Sequence, residues 1–411
     1  MNTTWGNLKY VPKTSWLLWC MIFLFNLWSF SWVDLKTFQY IHLLIIIFFL
    51  ITLLKKRIEK NSTIFSHWIL LFMVLPLLSV PACKILNNQP IIDSLIVYRM
   101  HLGWLMYFVL SIKKTTEKQL VYVVVCMGLI YAFIVLLQQI TYPFAPFGER
   151  TLGTAYANRF EDGVERRFGF YRFAVGGYVF AVFALLLYFA HQWRTNKIIV
   201  ILLFFSIIAT GNRQTIVSTL IAIVCYYILN VRTRKKYFYI SILLILALFV
   251  YNCVTKIGGI FANVSDDLEE GRMHSYIYYY NEITNNFVSF FCGNGLPSAH
   301  SMYGQIIPYF MGKPVTPSDI GMLGTWFYWG GVYVCTYLFF IIRLCMNKYL
   351  DHFLKAYALF FLLTIWVSTP LWEIWGMAFQ AMFIYYCELN IRRNKNNIRS
   401  EEHTSELQSH T

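Results

Sequence analysis

Long apolar runs, separated by short polar segments along almost the whole chain, limit what it can fold into. They fall near 15–33, 38–54, 64–80, 96–112, 119–139, 173–191, 197–210, 214–231, 237–254, 319–342, 355–369 and 372–388. A bilayer core about 30 Å thick is crossed by about 20 mainly apolar residues in an α-helix. Most runs meet that length, whereas 197–210 and 355–369 are short and softly bounded. In lipid the backbone must satisfy its own polar groups, which a helix does. Only 13% of the 411 residues are charged against 58% hydrophobic, with mean hydropathy +0.53. A soluble domain carries about 25% charged residues, so this chain has too little polar surface to cover itself in water. The expected fold class is all-α: a polytopic integral membrane protein with about 12 transmembrane helices and one large extracytoplasmic loop containing helix.

The net charge of +14 does not point to nucleic acid, because the basic residues sit in short clusters between apolar runs. One alternating set of gaps carries Lys55, Lys56, Arg57 and Lys60; Lys113, Lys114 and Lys118; Arg194 and Lys197; Arg232, Arg234, Lys235 and Lys236; and Arg343, Lys348 and Lys355. These gaps are almost free of acid, so the positive-inside rule puts them in the cytoplasm, together with both termini. The first run lacks a small-residue cleavage site and reads as a retained span. Residues 1–398 are expected to form a single membrane domain. The stretch RSEEHTSELQSH from Arg399 resembles the translation of a sequencing adapter, so 399–411 is set apart as non-native.

The other gaps hold two long outer loops, about 140–172 and 255–318. The second contains GGIFANVSDDLEEGRMHSYIYYYNEITNNF, in which Ile277, Tyr280, Thr284 and Phe287 recur at helical spacing. That predicts an amphipathic helix lying against the membrane face. The nine cysteines include no CxxC pair and no zinc-like Cys/His spacing. A disulfide among Cys83, Cys253 and Cys292, all near the outer face, is left open. No Walker loop, dinucleotide fingerprint or internal repeat is present, and no cofactor or metal is implied.

Arginines outside the cytoplasmic gaps are the informative residues, since the charge rule makes them scarce there. Arg213 lies in TGNRQT, a tight outer turn in which Gly211 and Asn212 suit a helix end and Arg213 the start of the next helix. A cation at a helix N-terminus is disfavoured by the macrodipole, which calls for an anionic partner; a snorkelling arginine is the plainer alternative. Arg272 opens the amphipathic helix behind Asp266, Asp267, Glu269 and Glu270, where a local ion pair is the plainer alternative. Arg166, Arg167 and Arg172 lie in RRFGFYRF before the sixth run, where a solvated patch would also fit. Guanidinium stays charged and matches phosphate oxygens bidentately, so three outer arginine sites suit a lipid-linked diphosphate. Arg99 and His101 lie towards the outer end of the fourth run.

The pattern resembles the O-antigen polymerase and O-antigen ligase family of bacterial surface-polysaccharide assembly. TGNRQTIVSTL is similar to the family's arginine turn between central spans. GRMHSYIYYYNEITNNFVSFFCGNGL is similar to its Arg-led helix and Gly-x-Gly turn. SDIGMLGTWFYWGGVYVCTYLFF is similar to the segment that re-enters the membrane, and RRFGFYRFAVGGY to the entry of the sixth span. The likeness covers about 120–345. Ligases of the family carry a His-Asn pair before the re-entering span; here TPSDIGMLG puts Asp319 in that slot, with His300 displaced, which favours polymerase over ligase.

The resemblance implies a glycosyltransferase of the bacterial cytoplasmic membrane with its active site on the outer face. Its donor would be an undecaprenyl-diphosphate-linked oligosaccharide and its acceptor a sugar hydroxyl of a second lipid-linked unit. Partners implied are the lipid bilayer, a chain-length regulator and a flippase, with no nucleic acid. Arg213 and Arg272 are assigned to the diphosphate, and Arg166, Arg167 and Arg172 to the second lipid-linked chain or growing glycan. Asp319 is the first choice of base and Glu282 the second; an N-cap role for Asp319 stays open. His300 and Tyr276 are further substrate-binding candidates, Tyr276 by stacking on a sugar. The alternatives are a ligase joining glycan to a lipid or protein acceptor, and a transporter or flippase of lipid-linked sugars.

Overall fold

The computed structural model describes residues 14–28, 35–55, 63–142, 147, 166–167, 170–171, 175–230, 238, 241, 262–306, 308–311, 313–365, 371 and 373–409. They are mostly helical. In chain order the helices are α1 (Ser15–Leu24), α2 (Leu35–Lys55), α3 (Ser66–Asn87), α4 (Ile91–Ile112), α5 (Glu117–Thr141), α6 (Tyr178–Phe189), α7 (Lys197–Ala209) and α8 (Arg213–Asn230). They continue with α9 (Ala262–Thr284), α10 (Phe287–Cys292), α11 (Met302–Gln305), α12 (Gly321–Cys345), α13 (His352–Thr364) and α14 (Ile374–Ser409). The only strands among the described residues are two minimal hairpins, Arg166–Arg167 with Phe170–Tyr171 and Tyr309–Phe310 with Lys313–Pro314.

Five of these helices are long and apolar enough to cross a membrane: α3, α4, α5, α12 and Thr37–Lys55 of α2. Shorter apolar helices stand at most of the remaining runs, and 237–254 lies outside the described residues except for Phe238 and Ser241. From Leu43 to Leu54 the exposed side chains of α2 are all Leu or Ile, with Leu44 63% and Leu54 87% exposed. A surface of that kind marks contact with a membrane or with further protein. One boundary moves from the sequence expectation. The third and fourth runs are joined by a turn at Asn88–Pro90 rather than by a gap from 81 to 95, with Asn88 left-handed at φ 53°. His101 therefore stands half-way along α4 instead of towards its end.

The chain divides into two compact units, 1–58 with 109–223, and 59–108 with 224–411. In the first, α5 and α6 pack face to face across Gly128, where a Cβ would stand 3.1 Å from the Phe180 carbonyl. Thr116 and Gln119 form a reciprocal capping box that starts α5. Helix α7 ends on Gly211 at φ 64°, and Asn212 caps α8 by accepting from the Gln214 and Thr215 amides at 3.1 and 3.3 Å. Arg213 thus begins α8, as its position in TGNRQT predicts.

The second unit has an aromatic core of Phe72, Trp104, Tyr333, Tyr337 and Phe340, and the Tyr337 hydroxyl donates to Gln380 at 2.5 Å. Glu388, fully buried on α14, accepts from the Tyr107 hydroxyl and pairs with Arg392. On the same helix, Arg393 and Asn390 hold Asp351 at 2.9 and 2.6 Å. Cys83 and Cys292 are free thiols, so no disulfide joins them, and Cys253 lies outside the described residues.

Candidate functional site

Helix α9 carries three of the candidate residues, Arg272, Tyr276 and Glu282, with His274 between the first two. It begins at Ala262, so Arg272 lies well inside the helix and does not open it. The acidic run is part of the same helix, and its side chains lie outside the described residues. One face of the helix packs on protein, and the face expected to lie against the membrane is a different one. Ser275, Tyr279 and Ile283, spaced four apart, are buried, with the Tyr279 ring 4.7 Å from Phe327 and its hydroxyl donating to the Val315 carbonyl at 3.2 Å. Met273, Ile277 and Tyr280 are exposed. The helix ends at Thr284, and Asn286 starts α10 by accepting from the Val288 amide at 2.9 Å, so Phe287 belongs to the next helix.

The Arg272 side chain is exposed and acts on Tyr276, one turn on. Burial pushes the Tyr276 hydroxyl up, and the guanidinium offsets part of that rise. Tyr278 is raised by burial and further by Glu282, which is itself exposed. Ser275 accepts from the Thr316 amide at 3.4 Å, which brings the Pro317–Ile320 turn holding Asp319 onto the Arg272 helix. The N-cap of α12 is Ile320, one residue after Asp319, and it makes no side-chain cap. The N-cap alternative for Asp319 is thereby displaced by one position; its side chain lies outside the described residues.

Behind α9 stands an interrupted helix. Gly330 breaks α12 at φ 83°, ψ 161°, leaving the Phe327 and Tyr328 carbonyls without continuing helical partners. The Gly293–Gly295 loop supplies them: the Asn294 amide donates to Phe327 at 2.7 Å and the Gly295 amide to Tyr328 at 2.9 Å. The Trp326 indole donates to the Phe290 carbonyl at 2.7 Å. A Cβ on Gly293 would lie 2.4 Å from the Gly330 amide nitrogen, so backbone meets backbone here. Irregular backbone in an apolar helix is tolerated where protein covers its polar groups.

Gln89, in the α3–α4 turn, ties the following loop down. It donates to Leu296 at 3.2 Å and Ser94 at 2.9 Å, and accepts from the Ser298 amide at 2.9 Å and the Ser301 hydroxyl at 2.7 Å. Sequence reasoning missed it, although Asn87-Asn88-Gln89-Pro90 is a turn signal between two apolar runs. His300 sits exposed on this clasped loop, and Tyr303, raised by burial, donates to the Gly295 carbonyl at 3.3 Å.

No protein-family model, curated protein or solved structure matches this chain. In the second unit the structure brings Arg272, Tyr276 and the Asp319 turn onto one docked helix and its flank, with Glu282 on the same helix and His300 on a separate loop. In the first unit Arg213 heads α8, and Arg166 and Arg167 pair with Tyr171 and Phe170 in a hairpin. Gln139 holds that hairpin to α5, donating to the Tyr171 carbonyl at 2.6 Å and accepting from its amide at 2.9 Å. The side chains of Arg213, Arg166 and Arg167, and the whole of Arg172, lie outside the described residues.

Proposed function

We propose that the chain is a membrane glycosyltransferase of the polymerase type. It moves a glycan from a lipid diphosphate onto a sugar hydroxyl of a second lipid-linked unit, at the outer face of the bacterial cytoplasmic membrane. The observation that supports this most is Arg272: an exposed guanidinium on a helix whose opposite face is docked beside an interrupted apolar helix. In the reaction the acceptor oxygen attacks the anomeric carbon, the bond to the diphosphate breaks, and its electron pair stays on the phosphate oxygen. A guanidinium paired bidentately with the diphosphate stabilises that developing charge. Arg213 is assigned the same phosphate chemistry, and Arg166, Arg167 and Arg172 the second lipid-linked chain. Asp319 is the first choice to take the acceptor proton and Glu282 the second.

The break at Gly330 also favours a second reading, since interrupted helices recur in transporters. Expression of Arg272→Ala and Arg213→Ala in a deletion strain, with gel analysis of surface glycan, separates the two. The polymerase reading expects the long-chain ladder to vanish while single repeat units still reach the surface. Repeat units trapped inside the cell would favour transport, and full-length polymer left unattached would favour a ligase.

A further inference from the structure

His101, fully buried half-way along α4, sits between Tyr98, stacked at 5.3 Å, and Trp329, edge-on at 4.3 Å. Tyr333, one turn beyond Trp329 on α12, lies 5.9 Å from the same imidazole. Trp104, one turn beyond His101, packs on Phe72 at 5.0 Å, and Phe72 packs in turn on Tyr333 at 6.3 Å. The side-chain polar atoms of His101, Trp104, Trp329 and Tyr333 are all buried, and none makes a well-formed hydrogen bond among the described residues. The Phe72 backbone interacts with His101, and the Trp104 indole with the Tyr333 hydroxyl, in contacts that fall short of a well-formed hydrogen bond. Buried N–H and O–H groups are nearly always paired, so four in one place call for a partner.

The backbone makes the same point independently. Around His101, α4 tightens into a 3-10 stretch, Arg99–Leu105, and α12 breaks at Gly330, between Trp329 and Tyr333. Two apolar helices therefore lose regularity where the polar side chains meet. A mid-helix 3-10 segment often marks a functional position, and an ionisable residue at the centre of a membrane helix is itself a functional signal. The inventory is rich in donors. Each indole only donates, one imidazole nitrogen donates and the other accepts, and the hydroxyl can do both. Water is the smallest group that both accepts from N–H and donates to imidazole.

We propose that His101, Trp104, Trp329 and Tyr333 form an internal hydration site, binding ordered water at the junction of the 3-10 stretch of α4 and the break in α12. The site is separate from the Arg272 helix and does not depend on the glycosyltransferase reading. Water-edited solid-state NMR on the full-length protein in lipid bilayers, with ¹⁵N-labelled His and Trp, tests it. His101→Phe, Trp104→Phe and Trp329→Phe assign the three signals, with exposed His300 as the wetted reference. The site predicts that the His101, Trp104 and Trp329 signals receive magnetisation from water at mixing times close to those of His300. His101→Gln, which keeps a donor and an acceptor, is expected to retain the transfer to both indoles. If all three wild-type signals stay dark while His300 saturates, the cluster is dry and the proposal is overturned; loss of both indole transfers in a folded His101→Gln protein would overturn the bridging role of position 101.

Discussion

Gly293 and Gly330 occupy positions that no other residue fits. Both have positive φ, and a Cβ on Gly330 would meet the Phe291 carbonyl oxygen at 2.2 Å. These obstacles are backbone atoms and cannot swing aside. Gly330→Ala is therefore expected to destabilise the protein by about 3 kcal/mol or more, read as a lower melting temperature in detergent. Gly128→Ala, whose tightest contact is 3.1 Å, should cost clearly less. At Arg272 the issue is shape as well as charge: lysine keeps the charge and loses the planar fork. Arg272→Lys is expected to lower polymerising activity by about 10-fold or more with little change in melting temperature; full activity in that variant would remove bidentate recognition from the account.

The elements around the break depend on a few side chains that reach across. Gln89→Leu removes four hydrogen bonds from the turn that clasps 294–301. The expected cost is about 1–3 kcal/mol, seen as faster hydrogen exchange at the Ser298 and Ser301 amides while the core of α12 stays protected. The tyrosines of this region give a pH dependence of definite sign. Burial raises Tyr276, Tyr278 and Tyr303 above the ordinary phenol value, which is about 10. The folded state holds these protons more tightly than the unfolded chain, so their contribution is intact below about pH 10 and is lost as pH rises further. Thermal melting should accordingly worsen above about pH 10, in step with tyrosinate absorbance; a melting temperature flat across that range would contradict the burial of these groups. Local signals were legible in the residues alone: Gly211 and Asn212 announce the α7–α8 turn, and an amphipathic helix was expected near Arg272. The face it packs on protein, with Tyr279 and Ile283, was not, because α9 carries apolar residues on two faces and only tertiary contacts show which of them meets protein. The break at Gly330 was equally hidden, since GG in an apolar run fits a straight helix until a second loop arrives to satisfy the freed carbonyls.

For the molecule as a whole, apolar runs and scarce charge are enough to read a helical chain suited to lipid, and the aliphatic exterior of α2 carries the same message in three dimensions. The protein is expected to stay with the membrane pellet after an alkaline carbonate wash; release into the supernatant would deny that it is integral. The division into two compact units, each assembled from separate stretches of chain, was not legible, because it depends on which helices pack together and not on any composition shift along the sequence. The proposed function is written more thinly than the fold, since it rests on a few guanidinium groups and one carboxylate slot. The most direct test is to reconstitute the purified protein in liposomes with a lipid-diphosphate-linked repeat unit and follow product length and lipid diphosphate release together. The account predicts a ladder of glycan lengths with lipid diphosphate released at each addition, both abolished in Arg272→Ala. Glycan that crosses the bilayer without lengthening, or a ladder indifferent to Arg272→Ala, would contradict it.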